Sequence, residues 1–212
     1  QQLDADAALH ALVVQPVAAH GRSRGGCRRG AVSGVPSLVL RRGVVDDAPA
    51  LAAFAAATFH DTYAADNAPE VIGAYLAGAF GPAIQARELA DASSVTMLAH
   101  LGDALVGYAQ VRTGAPPACV REPDAVELQR LYVDRTQHGR GVAGPLLEAA
   151  CEAARGLGGR HLWLGVWERN PRAMAFYARQ RFRRVGEHHF MMGPEAQRDH
   201  VLVRSLEAPV RA

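Results

Sequence analysis

From Ser37 onward, apolar and polar positions recur with short, regular periods. "SLVLRRG" (37–43) alternates as a half-buried strand does, and "DAPALAAFAAATFHDTY" (47–63) carries alanine and larger apolar residues at helical spacing behind an Asp47 cap. "PEVIGAYLAGAF" (69–80) begins with a proline suited to a first helical turn, and "GPAIQARELAD" (81–91) predicts a further helix. "SVTMLAHLGDALVGYAQVRTG" (94–114) predicts a hairpin turning at Gly102–Asp103. A proline-rich loop, "PPACVREPD" (116–124), then leads into the strand "AVELQRLYV" (125–133).

"AGPLLEAACEAARGLGG" (143–159) places Leu146, Leu147, Ala150, Cys151 and Ala154 on one helical face and closes in glycines. "HLWLGVWE" (161–168) is apolar on both faces, as an interior strand is. Asn170 caps "NPRAMAFYARQ" (170–180), and "FRRVGEHHFMMG" (182–193) with "DHVLVRSL" (199–206) predicts a last pair of strands. The order is one strand, two or three helices, antiparallel strands and a single strand–helix–strand unit. This predicts an α/β class with a mixed, mostly antiparallel sheet flanked by helices.

Residues 1–36 differ in composition. "HGRSRGGCRRGAVSGVP" (20–36) has no acid and little to bury, which predicts a disordered Arg/Gly-rich appendage before a single domain at 37–212. Arg22, Arg24, Arg28 and Arg29 against Asp4 and Asp6 account for the whole net charge of +2, so the remainder is formally neutral. A neutral domain gives no footprint for nucleic acid. Cys27, Cys119 and Cys151 are too few and too scattered for a disulfide framework, which favours a reducing, cytoplasmic setting, and Cys151 reads as core. No apolar run approaches the roughly 18 residues of a membrane span. His188, His189 and His200 lack metal-ligand spacing, so no metal is expected.

The run Gly139-Arg140-Gly141-Val142-Ala143-Gly144 satisfies G-x-G-x-x-G, and a glycine turn opening a helix is an anion site. A dinucleotide fold would place the first glycine directly after its strand; here "DRTQH" intervenes after Val133. The preceding strand also carries Glu127, Gln129 and Arg130, and only one strand–helix–strand unit is visible. A Walker loop needs a Gly-Lys pair, and the chain has no lysine.

The run His138-Gly139-Arg140-Gly141-Val142-Ala143 resembles the acyl-CoA signature Gln/Arg-x-x-Gly-x-Gly/Ala of the GNAT acetyltransferase superfamily. Asn170, Ala173, Phe176, Tyr177 and Phe182 resemble its Asn-x-x-Ala-x-x-Phe-Tyr-x-x-x-Gly-Phe segment. "TFHDTY", "ELQRLYV", "LWLGVWERN" and "FMMGPEAQRDHVLV" resemble its PaiA-type spermidine acetyltransferases. Two positions depart: His138 stands for Gln or Arg, and Arg181 stands where a glycine precedes Phe182.

The resemblance implies a GNAT fold with a splayed strand pair, acetyl-CoA as cosubstrate and a small-molecule amine as acceptor, and the C-terminal strands could pair between subunits of a homodimer. It implies that Leu131, Tyr132 and Val133 hold the pantetheine arm, that His138 through Ala143 form the pyrophosphate loop, and that Asn170, Ala173 and Phe176 line the cofactor. Glu127, eleven residues before His138 as in the histone-acetyltransferase branch of the superfamily, is the candidate base; a solvated strand-end charge or an ion pair with Arg130 or Arg112 is its alternative. Tyr177 is the candidate acid for the departing thiolate, or else a packed aromatic. Phe59, Tyr63, Trp167 and Phe190, with Asp61 and Glu168 nearby in sequence, are candidates for an aromatic, acidic acceptor pocket, or else core and surface. The competing readings are a non-catalytic acyl-CoA sensing domain and RNA association through the tail.

Overall fold

The computed structural model describes residues 37–64, 67–192 and 195–207, leaving aside the side chains of 190–192 and 195–197. The appendage expected at 1–36, with Cys27, lies outside the described residues. In chain order the elements are β1 (Leu38–Arg42), α1 (Ala48–Tyr63), α2 (Pro69–Ala79), α3 (Pro82–Ala90), β2 (Ser94–Leu101), β3 (Ala104–Arg112) and β4 (Ala125–Val133). There follow α4 (Ala143–Gly156), β5 (His161–Trp167), α5 (Pro171–Arg179), β6 (Arg183–Met192) and β7 (Glu195–Ser205). The strands form one mixed sheet in the order β1-β2-β3-β4-β5-β7-β6. Every pairing is antiparallel except β4 with β5.

Strand alternation assigns the two faces of this sheet. A methyl group added at Gly107 would meet Leu146 of α4, so that face of β3 carries α4, whose Leu146, Leu147, Ala150, Cys151 and Ala154 are buried. The neighbouring Tyr108 points the other way and meets Phe54 of α1 edge-on, with ring centroids 6.1 Å apart. Helix α1 buries Leu51, Ala52, Ala55, Phe59 and Tyr63, the three-and-four spacing legible in its sequence. Cys151 is fully buried and its thiol is pushed up to about 11 by burial, which leaves it apolar filling. Among the described residues no helix is long and apolar enough to cross a membrane.

Most expected elements appear at their expected places, including the Gly102 turn, where φ is +59°. Three details differ. Asp47 does not cap α1: its carboxylate accepts from Arg41 at 2.6 and 2.7 Å and from the Val44 amide at 2.8 Å, holding a short 3₁₀ turn (Val45–Asp47) against β1. The Arg41 guanidinium holds that carboxyl below its ordinary range. A second 3₁₀ turn, Arg135–Gln137, follows β4. β7 begins at Glu195 rather than Asp199, because Glu195, Ala196 and Gln197 continue the pairing with Met192, Met191 and Phe190.

Asn170 caps α5 as expected, its side-chain oxygen accepting from the Ala173 amide at 3.0 Å. Past the other end of α5, Arg181 takes φ +65°, the left-handed conformation that the glycine of the family pattern would adopt without strain. The turn is held by Phe182 donating to Tyr177 across 3.0 Å and by the burial of the Phe182 ring. Replacing Arg181 with glycine is expected to raise stability by up to about 1 kcal/mol, relief of the left-handed penalty outweighing the added freedom of the unfolded chain. Urea denaturation of Arg181→Gly measures it; an unchanged or lower midpoint would show that contacts of the arginine outweigh the strain.

Candidate active site

The site begins where the sheet comes apart. β4 and β5 pair only at Ala125–His161, Val126–Leu162 and Glu127–Trp163; beyond that register Leu128–Val133 has no strand on its β5 side. Main-chain groups along that edge of Leu131, Tyr132 and Val133 are therefore turned toward a gap between two strands that would otherwise satisfy each other.

Immediately beyond the gap, the chain enters the glycine turn. Gly139 and Gly141 take φ of +73° and +83°, and open space surrounds both, so conformation rather than crowding requires glycine there. Among the described residues no backbone carbonyl accepts from the amides of Gly139, Gly141, Val142 or Ala143, and they lead into the N-terminus of α4. Donors of that kind, at the positive end of a fourteen-residue helix, suit an anion such as a pyrophosphate. Arg140 is exposed beside them. The His138 ring is buried, with Nε2 2.8 Å from the Val133 carbonyl. It ties the turn back to the end of β4.

Glu127 owes its position to a β-bulge. Gln110 pairs with Arg130 and Val111 with Leu128, so Gln129 is an extra residue in β4. Without it, strand alternation would put Glu127 on the α4 side with Leu131 and Val133. With it, Glu127 shares the α1 side with Arg130 and Tyr132. There one carboxylate oxygen accepts from Arg112 Nε at 2.6 Å, and the other, Oε1, is buried with no hydrogen-bond partner among the described residues. Burial raises the Glu127 carboxyl above its ordinary range, against the opposing pull of Arg112 and Arg130. Of the two partners open at the sequence level, Arg112 is thus the one it meets.

Tyr177, on α5, is fully buried, with its hydroxyl likewise unpartnered among the described residues. Burial, and secondarily Tyr132, pushes its phenol upward, so it keeps its proton. Phe176 and Phe182 flank it edge-on, each with its ring centroid 5.2 Å away. Ala173 lies buried one turn ahead.

The expected acceptor aromatics assemble only in part. Phe59 and Tyr63 lie 4.5 Å apart and Tyr63 reaches Trp167 at 5.9 Å, with Tyr75 stacked on Phe59 at 4.6 Å. Phe190 stands in β6 opposite Gln197, its side chain outside those described. Asp61 is exposed, and Glu168 is held by Arg198 of β7 at 2.7 Å, so neither is a buried acid. The buried acid is Asp199, 2% exposed, opposite Trp167 in β5 and His188 in β6. Sequence reading missed it because the aspartate opens an apolar run and looks like a strand-end charge.

A second feature it missed lies beneath this wall. Arg130, 1% exposed, donates to Glu88 of α3 at 2.5 and 3.0 Å and to Gln110 at 2.9 Å, and its guanidinium lies 5.2 Å from the Phe80 ring. This pair pins α3 to the middle of the sheet.

A mixed sheet that opens between its parallel strands directly ahead of a glycine turn suited to an anion is an arrangement that a CoA thioester would fit. Residues 52–182 match the acetyltransferase (GNAT) family, and the chain belongs to that family. It is 31% identical over 160 residues to an uncharacterized N-acetyltransferase of Lactobacillus delbrueckii subsp. lactis, covering 76% of this chain and 92% of that one. It is 34% identical to an uncharacterized N-acetyltransferase of Mycobacterium bovis, covering 76% and 98%. Its fold is shared with the PaiA N-acetyltransferase of Thermoplasma acidophilum in complex with coenzyme A, at TM-score 0.63 and 18% identity over 80% of this chain and 99% of that one.

Removing the charge on Glu88 strands a guanidinium that has no route to water. Glu88→Gln is expected to cost about 2–3 kcal/mol, below the full range for a buried pair because Glu88 is a quarter exposed. Pairing Glu88→Leu with Arg130→Met should recover most of it. A single variant as stable as the parent would show that Arg130 draws its support from Gln110 and Phe80 alone; urea denaturation distinguishes the two.

Proposed function

We propose that the protein transfers an acetyl group from acetyl-CoA to the primary amine of a small, polyamine-like molecule, by direct attack in a ternary complex. The observation that carries this reading is the parting of β4 and β5 ahead of the glycine turn, with two buried oxygens, Glu127 Oε1 and the Tyr177 hydroxyl, left without partners on the elements that border the gap. The acetyl-CoA supplies an acyl group already activated as a thioester.

The residues of this chain divide the remaining work. Amides of Gly139, Gly141, Val142 and Ala143 receive the pyrophosphate, with Arg140 beside them and His138 holding the turn in place. Main-chain groups of Leu131, Tyr132 and Val133 receive the pantetheine arm as an added strand would, and an amide among them polarises the thioester carbonyl. Asn170 keeps α5 in register, so that Ala173 and Phe176 flank the thioester end. On the acceptor side Phe59, Tyr63 and Trp167 form an aromatic wall toward a cationic amine.

Attack requires a neutral nitrogen and a protonated leaving group. Glu127, raised by burial and anchored through one oxygen by Arg112, takes a proton from the nitrogen through its free Oε1 as the carbon–nitrogen bond forms. Tyr177, kept protonated by burial, gives its proton to the thiolate as the carbon–sulfur bond breaks. The anchoring by Arg112 fixes the direction of Oε1 but also stabilises the charged carboxylate, so the base is held in place at some cost in basicity.

The first test is thiol release from acetyl-CoA with spermidine as acceptor, alongside calorimetric binding of acetyl-CoA and of NADH. Binding of acetyl-CoA but not NADH, with thiol release, is the expected result. Binding without release across polyamines, amino sugars, amino acids and peptides would favour a sensing domain instead. In the active protein, Glu127→Gln and Tyr177→Phe should each lower kcat by about a hundredfold or more while leaving acetyl-CoA affinity within a few-fold. A loss of affinity equal to the loss of rate would remove the residue from the chemistry.

A further inference from the structure

Two arginines share the sheet face of Glu127, and only one of them bonds to it. We propose that Glu88 of α3 is a positioning residue for the reaction: by holding Arg130, it keeps that guanidinium off Glu127 Oε1 and leaves the oxygen free to act as base. This rests on the reading of the protein as an amine acetyltransferase whose base is Glu127.

The register puts the competitor within reach. Gln110 pairs with Arg130 and Arg112 with Glu127, and Gln110 and Arg112 are successive residues on one face of β3. Arg130 and Glu127 therefore stand about 7 Å apart on the same face of β4, a span that an arginine side chain covers. Arg130 is 1% exposed and Glu127 4%, so solvent screens their attraction little. Among the described residues Glu127 Oε1 is a buried acceptor without a hydrogen-bond partner, and Arg130 Nε is a buried donor without one. A guanidinium and a carboxylate so placed close on each other unless something holds one of them back.

Glu88 does the holding. It accepts from Arg130 Nη1 at 2.5 Å and from Nη2 at 3.0 Å, a two-point grip that fixes the plane of the guanidinium, and Gln110 Oε1 accepts from Nη1 at 2.9 Å. Gln110 is fixed in turn, its Nε2 donating to Glu88 and to Ser94 Oγ, each at 3.3 Å. Both terminal nitrogens of Arg130 are thus engaged by α3 and β3, and only Nε is left over. The carboxylate that makes this possible comes from a helix, not from the sheet.

The groups that face Glu127 are few. β3 offers Arg112, bonded at 2.6 Å; β4 offers Arg130; β5 offers the Trp163 indole, directly paired with Glu127 and without charge. Around Arg130 stand the phenols of Tyr108 and Tyr75, both raised by burial and so protonated. Burial raises the Glu127 carboxyl; Arg112 opposes it directly, and Arg130 opposes it from where Glu88 holds it. A direct bond from Arg130 would lower the carboxyl further and occupy the oxygen that has to take the proton. One arginine aims the base, and a second on the other oxygen would silence it.

The test compares Glu88→Gln, and the pair Glu88→Leu with Arg130→Met, against the parent in the full chain. Two readouts are taken: the pH profile of kcat/KM with spermidine and acetyl-CoA, and the titration of the Glu127 carboxyl by carbon-13 NMR, its signal assigned through Glu127→Gln. Glutamine keeps the size of Glu88 and loses the charge that holds Arg130. In Glu88→Gln the Glu127 carboxyl should therefore titrate about one pH unit or more below the parent. A carboxyl that ionises at lower pH moves the rising limb of kcat/KM toward acid, and a weaker, occupied base lowers the plateau. That loss should be about tenfold or more, with acetyl-CoA affinity by calorimetry within a few-fold of the parent. The paired variant removes the competitor together with its holder, so its plateau should return to within a few-fold of the parent and its limb to the parent's pH or above. A Glu88→Gln protein that loses rate while Glu127 titrates as in the parent has lost packing alone, and overturns the assignment. So does a paired variant whose limb stays displaced toward acid. A parent that binds acetyl-CoA yet acetylates no amine overturns the underlying function instead, and the Glu127 titration in Glu88→Gln still decides whether Glu88 keeps Arg130 off the carboxylate.

Discussion

Three residue pairs hold β4 and β5 together, and the proposed site depends on the absence of a fourth. A continuous parallel pairing would satisfy the edge of Leu128–Val133 internally and leave nothing for a ligand to bond. On the proposed function, the parting frees those main-chain groups for recognition. It is tolerated because the rest of β4 is anchored from its other side, by the β3 pairing and by the Arg130–Glu88 pair that draws α3 onto the sheet. The site is thus a fault between two well-bonded blocks, β1 to β4 on one side and β5, β7 and β6 on the other.

The bulge at Gln129 shows how little sequence such a site needs. One residue inserted into a strand exchanges the faces of everything before it, and here it brings a carboxylate from the packed α4 side to the aromatic side. Burial then does to Glu127, Tyr177 and Asp199 what solvent would prevent, raising each above its ordinary value. The same low-dielectric surroundings act in opposite ways on what each can do: the phenol is kept a donor, while the carboxyls become better acceptors.

Much of the fold was legible in the sequence because it is local. The alternation of β1, the apolar face of α4, the Asn170 cap and the Gly102 turn are each written within a dozen residues. The catalytic candidates were legible through family motifs, since Glu127 and Tyr177 carry nothing in their own neighbourhoods that marks them. What was not legible depends on register: which arginine meets Glu127, the partnership of Arg130 with Glu88 across the sheet, and the burial of Asp199. Asp47 illustrates the limit from the other side. Its position satisfies the rule for a helix cap, yet the bidentate grip of Arg41, six residues earlier, is the stronger bond.

The link from His138 to the Val133 carbonyl also bears on the range of conditions in which the glycine turn keeps its shape. A carbonyl can only accept, so the ring must present Nε2–H. Neutral imidazole in that tautomer and imidazolium both supply it. The tie therefore holds in either form of the ring. A glutamine amide in the same place would hold the carbonyl equally well. The buried ring thus ties the turn to the end of β4 through an atom that stays a donor in either form.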